Sequence, residues 1–139
     1  MITRRFEEEL QKTGSLVCPN QGTSMLPLIR QGRDLMVIHP KPSRKLKRFE
    51  AVMFRRGNSY LLHRIYKVCE KDYIMCADNR STYERVQDDQ IIGILYAVLR
   101  DGNKEIKVTS PAYLSYIFYW YYLHPALKKI KQGVSQLMG

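Results

Sequence analysis

Apolar positions along this chain change period several times, and each change marks an element. From Thr3 to Lys12, Phe6 and Leu10 stand four residues apart among charged neighbours, which predicts a short amphipathic helix stopped by Gly14. An extended piece at Leu16 to Cys18 follows, then a turn around Ser24 and a one-turn helix at Leu26 to Arg30 ended by Gly32. From there the pattern becomes that of strands: Leu35 to His39, Ala51 to Phe54, Tyr60 to Val68, Tyr73 to Cys76, Ile91 to Leu99 and Glu105 to Val108. Arg56-Gly57-Asn58 and Arg100-Asp101-Gly102-Asn103 sit between apolar runs as hairpin turns. The expectation is a mainly β, β-rich α+β protein: a small antiparallel sheet or partial barrel with short helices at both ends. Its parts would be an N-terminal helix (1–14), a β domain (15–109) and an aromatic-rich C-terminal helix (110–139).

The tail departs from the strand pattern. Between Lys107 and Lys128 the only titratable cationic side chain is His124, and Tyr113 to Leu123 is crowded with aromatic residues, among them Tyr116, Phe118, Tyr119, Trp120, Tyr121 and Tyr122. A bilayer span needs roughly 20 mostly apolar residues, and Pro111 and Pro125 hold the helical part below that. Tyrosine and tryptophan favour the membrane interface. Two readings stand: a helix lying on an anionic membrane with Lys128, Lys129 and Lys131 at the headgroups, or an aromatic face packed on the sheet or on a second copy.

Size and charge narrow the class. A chain of 139 residues is one domain with room for a real core. The net charge of +10 is uneven: residues 30–67 hold eleven Lys or Arg against two acids, whereas 68–107 are slightly acidic. Such a block steers toward anionic lipid or an acidic peptide, or is a solvated loop around Lys41 to Arg48. Nucleic acid is disfavoured, since no aromatic ladder or DNA-binding helix accompanies the charge. Cys18, Cys69 and Cys76 form an odd set without C-x-x-C spacing, so neither a disulfide framework nor a zinc site is expected. The charged first ten residues read as a helix rather than a secretory leader or membrane anchor, which predicts a cytoplasmic protein or one at the cytoplasmic membrane face.

Candidate chemistry lies in four segments: Gln21-Gly22-Thr23-Ser24-Met25-Leu26-Pro27, Gly32-Arg33-Asp34, Tyr60-Leu61-Leu62-His63-Arg64-Ile65 and Cys76-Ala77-Asp78-Asn79. A serine in a glycine turn, a histidine on a strand and an acid in a turn are the parts of a hydrolytic triad. Serine needs a neighbouring base to take its proton, and a histidine near its ordinary pKa is unprotonated enough to do so.

In their order these segments resemble the signal peptidase/LexA superfamily of serine peptidases, over roughly residues 18–98. The family carries a G-x-S-M-x-P serine box, a downstream Gly-Asp, a strand bearing the general base and a G-D-N turn. With His63-Arg64 at the base position, the chain looks like the Ser-His signal peptidases of the endoplasmic reticulum and archaea. The resemblance implies Ser24 as nucleophile, His63 as general base, and an acid that is either Asp78, inside the turn motif, or Glu84, several residues beyond it. The reading leans to Asp78. Backbone amides near Ser24 and Met25 would bind the oxyanion, Thr23 would lend a hydroxyl, and Met25 and Pro27 would shape the turn. Strand Leu35 to His39 or its neighbours would pair with a substrate peptide at an edge. No metal or other cofactor is expected. The chain departs from the family at Phe49-Glu50, where a second Gly-Asp is usual, and at Ala77, where the turn usually has glycine.

Two function classes follow. One is an endopeptidase that cleaves a leader-like peptide or a protein through a Ser24 acyl-enzyme. The other is an inactive relative that binds a hydrophobic peptide or an anionic membrane surface.

Overall fold

The computed structural model describes residues 2–22, 24–79 and 82–126, with side chains from residue 6 onward. Its contacts divide the chain into two units, 1–107 and 108–139. Thr23 and the lysines Lys128, Lys129 and Lys131 lie outside the described residues.

The first unit is mainly β, as the alternation predicts. Helix α1 (Ile2–Thr13) leads into eight strands: β1 (Leu16–Pro19), β2 (Leu35–Pro40), β3 (Ala51–Arg56), β4 (Ser59–Val68), β5 (Asp72–Cys76), β6 (Tyr83–Gln87), β7 (Ile91–Arg100) and β8 (Lys104–Lys107). All pairings are antiparallel in one open sheet of order β1-β2-β7-β3-β4-β5-β6, with β8 added to β7. Helix α1 ends where Gly14, at φ 77°, donates its N–H to Leu10 O at 2.9 Å. That left-handed residue closes the last turn at no steric cost. Leu10 is buried, and Phe6 packs its ring 5.4 Å from that of Tyr60.

Both expected hairpins form. Arg56 pairs with Ser59 across Gly57-Asn58, and Arg100 pairs with Lys104 across a turn in which Asp101 and Gly102 have positive φ. One face of β3 to β7 buries Val52, Phe54, Ile65, Tyr73, Met75, Val86 and Ile91 together with Leu46, the core on which the candidate site is built. Each fully buried side chain of this size stabilises the fold by about 1.5–3 kcal/mol.

Three local expectations change. Strand β6 has no counterpart in the sequence reading, because its YERVQ run buries only Val86 and is held by backbone pairing to β5. The segment after Ser24 is a turn rather than a one-turn helix: only Ile29 N–H closes back on Met25 O, at 3.0 Å, and Pro27 has no N–H to extend the ladder. Finally, β2 pairs with β1 on one side and β7 on the other, so it offers no free edge to a peptide, whereas its neighbour β1 stands at one end of the strand order and β6 at the other.

In the second unit, Ser110 caps α2 (Pro111–Phe118) by accepting the Tyr113 N–H at 3.3 Å, and Pro111 takes a first-turn position where no N–H is needed. The helix continues through a wider π-type turn at Tyr119–Leu123. Tyr116, Trp120 and His124 stack along one face at four-residue spacing. Leu114, Phe118, Tyr119, Tyr122 and Leu123 are exposed. No helix among the described residues is long and apolar enough to cross a membrane.

Candidate active site

The serine turn is fixed from below and from the side. Met25, Leu28 and Ile29 are all buried in the core, while Ser24 in the same turn is left half-buried. The neighbouring Gly22 N–H donates to Gln31 Oε1 at 2.8 Å. Asp34, wholly buried, closes the segment: its carboxylate accepts the Arg30 N–H at 2.9 Å and both Arg33 side-chain donors at 2.9 and 2.8 Å. Burial raises the Asp34 pKa, but these donors outweigh it and hold the carboxyl below its ordinary value. The Gly32-Arg33-Asp34 motif is therefore a clasp for the serine segment. On the other side the Asn79 N–H donates to Ser24 O at 2.8 Å, tying the Asp78-Asn79 turn directly to the serine.

Strand β4 delivers the histidine. His63 and Ile65 share one face, and register carries that face through Met75 on β5 to Glu84 on β6. There His63 Nδ1 lies 3.2 Å from Glu84 Oε1. A carboxylate only accepts, so Nδ1 carries the hydrogen and Nε2 keeps its lone pair. The Phe54 ring, 5.5 Å away, covers the imidazole edge-on. Burial chiefly, with Arg56 adding to it, holds His63 below its ordinary pKa against the opposing pull of Glu84. Near pH 7 this imidazole is neutral and can accept a proton.

Ser24, His63 and Glu84 all line one cavity of about 330 Å³, with Ala77, Leu61 and Tyr83 among its other walls. Asp78, the acid to which the sequence reading leaned, is not among the residues that line this cavity. It is fully buried, and both its oxygens are taken by Arg64, at 2.8 Å from Nε and 2.8 Å from Nη2. The reason is the period of a strand: His63 and Arg64 are consecutive and must face opposite sides of β4. Ala77 forms its turn without a positive φ, so no glycine is needed there. Met25 is buried as a turn anchor and Pro27 is exposed in the same turn.

The other departure, Phe49-Glu50, keeps a glycine-like conformation in a non-glycine residue. Phe49 sits at φ 73°, donates its N–H to Ile65 O and accepts Arg64 Nη1 at 2.9 Å. Glu50 accepts two bonds from the Arg44 guanidinium and one from the Lys47 N–H. Arg56, read from the sequence only as part of a hairpin turn, reaches Glu84 Oε1 and lines the same cavity. Only its place beside a hairpin glycine hinted that it would stand near a strand end. The basic block is in large part paired: Arg33, Lys41, Arg44, Arg55, Arg56 and Arg64 all meet carboxylates.

Cys18 is no reactive thiol, because burial, reinforced by Glu9, pushes it up to about 11. Among the described residues no group of His, Cys, Asp and Glu is placed to hold a metal ion. Compared with known protein families and with curated proteins, the chain matches no family model and no curated sequence.

Proposed function

We propose that this chain is a serine endopeptidase of the signal peptidase/LexA kind, with Ser24 as nucleophile, His63 as general base and Glu84 as the acid that orients it. The observation that carries the reading is the His63–Glu84 contact of 3.2 Å in the wall of a cavity that Ser24 also lines. Ser24 Oγ attacks the scissile carbonyl as His63 Nε2 takes its proton; the amine leaves with that proton, and water then releases the acyl group by the same steps in reverse. Glu84 stabilises the imidazolium formed in between. Amides at Ser24 and Met25 are the proposed oxyanion donors. The substrate class is a peptide or protein with an extended cleavage segment, and β6, beside the cavity at one end of the sheet order, is the strand best placed to pair with it.

A serine-reactive phosphonate tests this directly. Intact mass should show one adduct on the wild-type protein and none on Ser24→Ala or His63→Ala, with all three equally folded. Absence of an adduct from folded wild type, across probes of different size, would overturn the reading in favour of an inactive peptide-binding relative.

The exposed Leu114, Phe118, Tyr119, Tyr122 and Leu123 support a second proposal, that the C-terminal helix meets the interface of an anionic membrane from the cytoplasmic side. Co-sedimentation with phosphatidylglycerol vesicles, lost in Phe118→Ser/Tyr122→Ser, is the expected result. Equal sedimentation of the two proteins would exclude it.

A further inference from the structure

The charge arrangement around His63 contains a residue that a Ser-His-acid scheme leaves unused. Glu84 Oε1 is approached by two cationic or potentially cationic groups at once, His63 Nδ1 from β4 and Arg56 Nη2 from the end of β3. In the sheet order β4 and β5 lie between β3 and β6, so the Arg56 side chain spans two strands to reach this carboxylate. Its own side chain is 54% exposed, and that of Glu84 30%. An ion pair this accessible contributes little to stability. Its position, on the very oxygen that meets the imidazole, gives it another role.

We propose that Arg56 is a positioning residue: it holds the Glu84 carboxylate in the orientation that brings one oxygen to His63 Nδ1. The proposal rests on the reading of Ser24, His63 and Glu84 as a peptidase site. Glu84 stands on a strand that buries only Val86, and its half-exposed carboxylate has few other restraints among the described residues. Arg56 supplies one. It also changes what His63 feels. The charged groups facing the imidazole are Glu84 from β6, Arg56 from β3 and, more weakly, Asp78 from the turn after β5, whose charge is already neutralised by Arg64. With Arg56 present, part of the Glu84 charge is countered, and the buried ring stays neutral to lower pH. With Arg56 removed, the carboxylate loses that restraint and swings toward water, so His63 loses the larger upward pull of Glu84 along with the smaller opposing effect of Arg56.

The experiment compares wild type, Arg56→Gln and Arg56→Lys by two readouts. One is the NMR titration of the ¹³C-labelled His63 ring, assigned with His63→Gln; the other is the rate of phosphonate labelling across pH. The expected result for Arg56→Gln is a downward shift of the His63 midpoint, with labelling on the plateau above it about fivefold slower than wild type because the base has lost its orienting acid. An upward shift would mean that Glu84 stays in place without Arg56 and would overturn the proposal. Thermal melting should be unchanged, and Arg56→Lys should recover most of the shift. An identical His63 midpoint in folded Arg56→Gln and wild type would overturn the proposal, and should Arg56→Gln fail to fold, an Arg56→Lys midpoint equal to wild type together with a fivefold slower rate would do the same. If the midpoint moves down but no variant labels at any pH, Arg56 keeps its positioning role and it is the peptidase reading that falls.

Discussion

The Arg64 guanidinium and the Asp78 carboxylate form two parallel bonds of 2.8 Å with neither side chain exposed to solvent. This pair sits directly behind the site: Arg64 precedes Ile65 on the histidine strand, and Asp78 precedes the Asn79 whose N–H holds Ser24 O. Arg64 also donates to Phe49 O, so one buried side chain joins three segments of the sequence pattern. Asp78 and Glu84 thus have separable places, one in the buried frame and one beside His63, where the proposed mechanism needs its acid.

That separation is measurable. Asp78→Ala leaves a buried, uncompensated guanidinium and should lower unfolding free energy by about 3–5 kcal/mol in urea titrations. Glu84→Gln removes an accessible partner and should cost under about 1 kcal/mol. The order reverses for chemistry: Glu84→Gln should slow phosphonate labelling of Ser24 by about 10- to 100-fold at pH 7. Were Asp78→Asn, still folded, to lose labelling while Glu84→Gln kept it, the assignment of the acid would be wrong.

The pH dependence follows from the same histidine. Burial holds folded His63 below the ordinary value of about 6.5 that it regains on unfolding. The unfolded chain therefore takes up a proton first as pH falls. Stability from keeping this ring neutral is complete above about 6.5 and is lost progressively from there down to the folded pKa. Labelling should rise with pH along an acid limb whose midpoint lies below 6.5. His63→Gln should lose less stability than wild type between pH 7 and 5, as read by chemical denaturation at each pH.

Gly93 marks the point where β7 serves two partners, pairing with Pro40 of β2 and Met53 of β3. A Cβ there would lie 2.6 Å from His39 O and 2.7 Å from Ile38 Cγ2, and the backbone oxygen cannot move aside cheaply. Gly93→Ala should destabilise by about 1–3 kcal/mol. An unchanged melting temperature would mean that the β2–β7 approach is looser than the structure has it.

At Phe49 the comparison is between two truncations. Both Phe49→Ala and Phe49→Gly lose the ring beneath Arg48, whose guanidinium lies 4.5 Å from its centroid. Only glycine also relieves the φ of 73°. Phe49→Gly should therefore be the more stable of the two, by about 1 kcal/mol. Alanine matching or exceeding glycine would show that this turn relaxes out of the left-handed region.

How much of this was legible depended on whether the signal was local. Alternation and turn residues located β2, β3, β4, β5, β7 and β8 because each carries several buried side chains or a hairpin turn. β6 was hidden because an edge strand needs only one buried anchor, and its other requirement, a partner backbone, leaves no trace in composition. Motif and order singled out Ser24 and His63 as candidates, and the structure brings both to the wall of one cavity. Which carboxylate meets the histidine was not legible, since Asp78 and Glu84 both lie downstream of it, and the answer depends on which face of β4 each one meets.

By itself, then, the sequence determined which residues can do chemistry and where strands alternate, since residue type and period are properties of the chain. Pairing partners and side-chain environment were decided by the tertiary structure alone. Register set His63 beside Glu84 and Arg64 beside Asp78, long-range contact brought Arg56 to Glu84, and burial holds His63 below its ordinary pKa. The physical reason is that a strand fixes only the side of the sheet to which a side chain points, while what it meets there depends on strands far away in sequence.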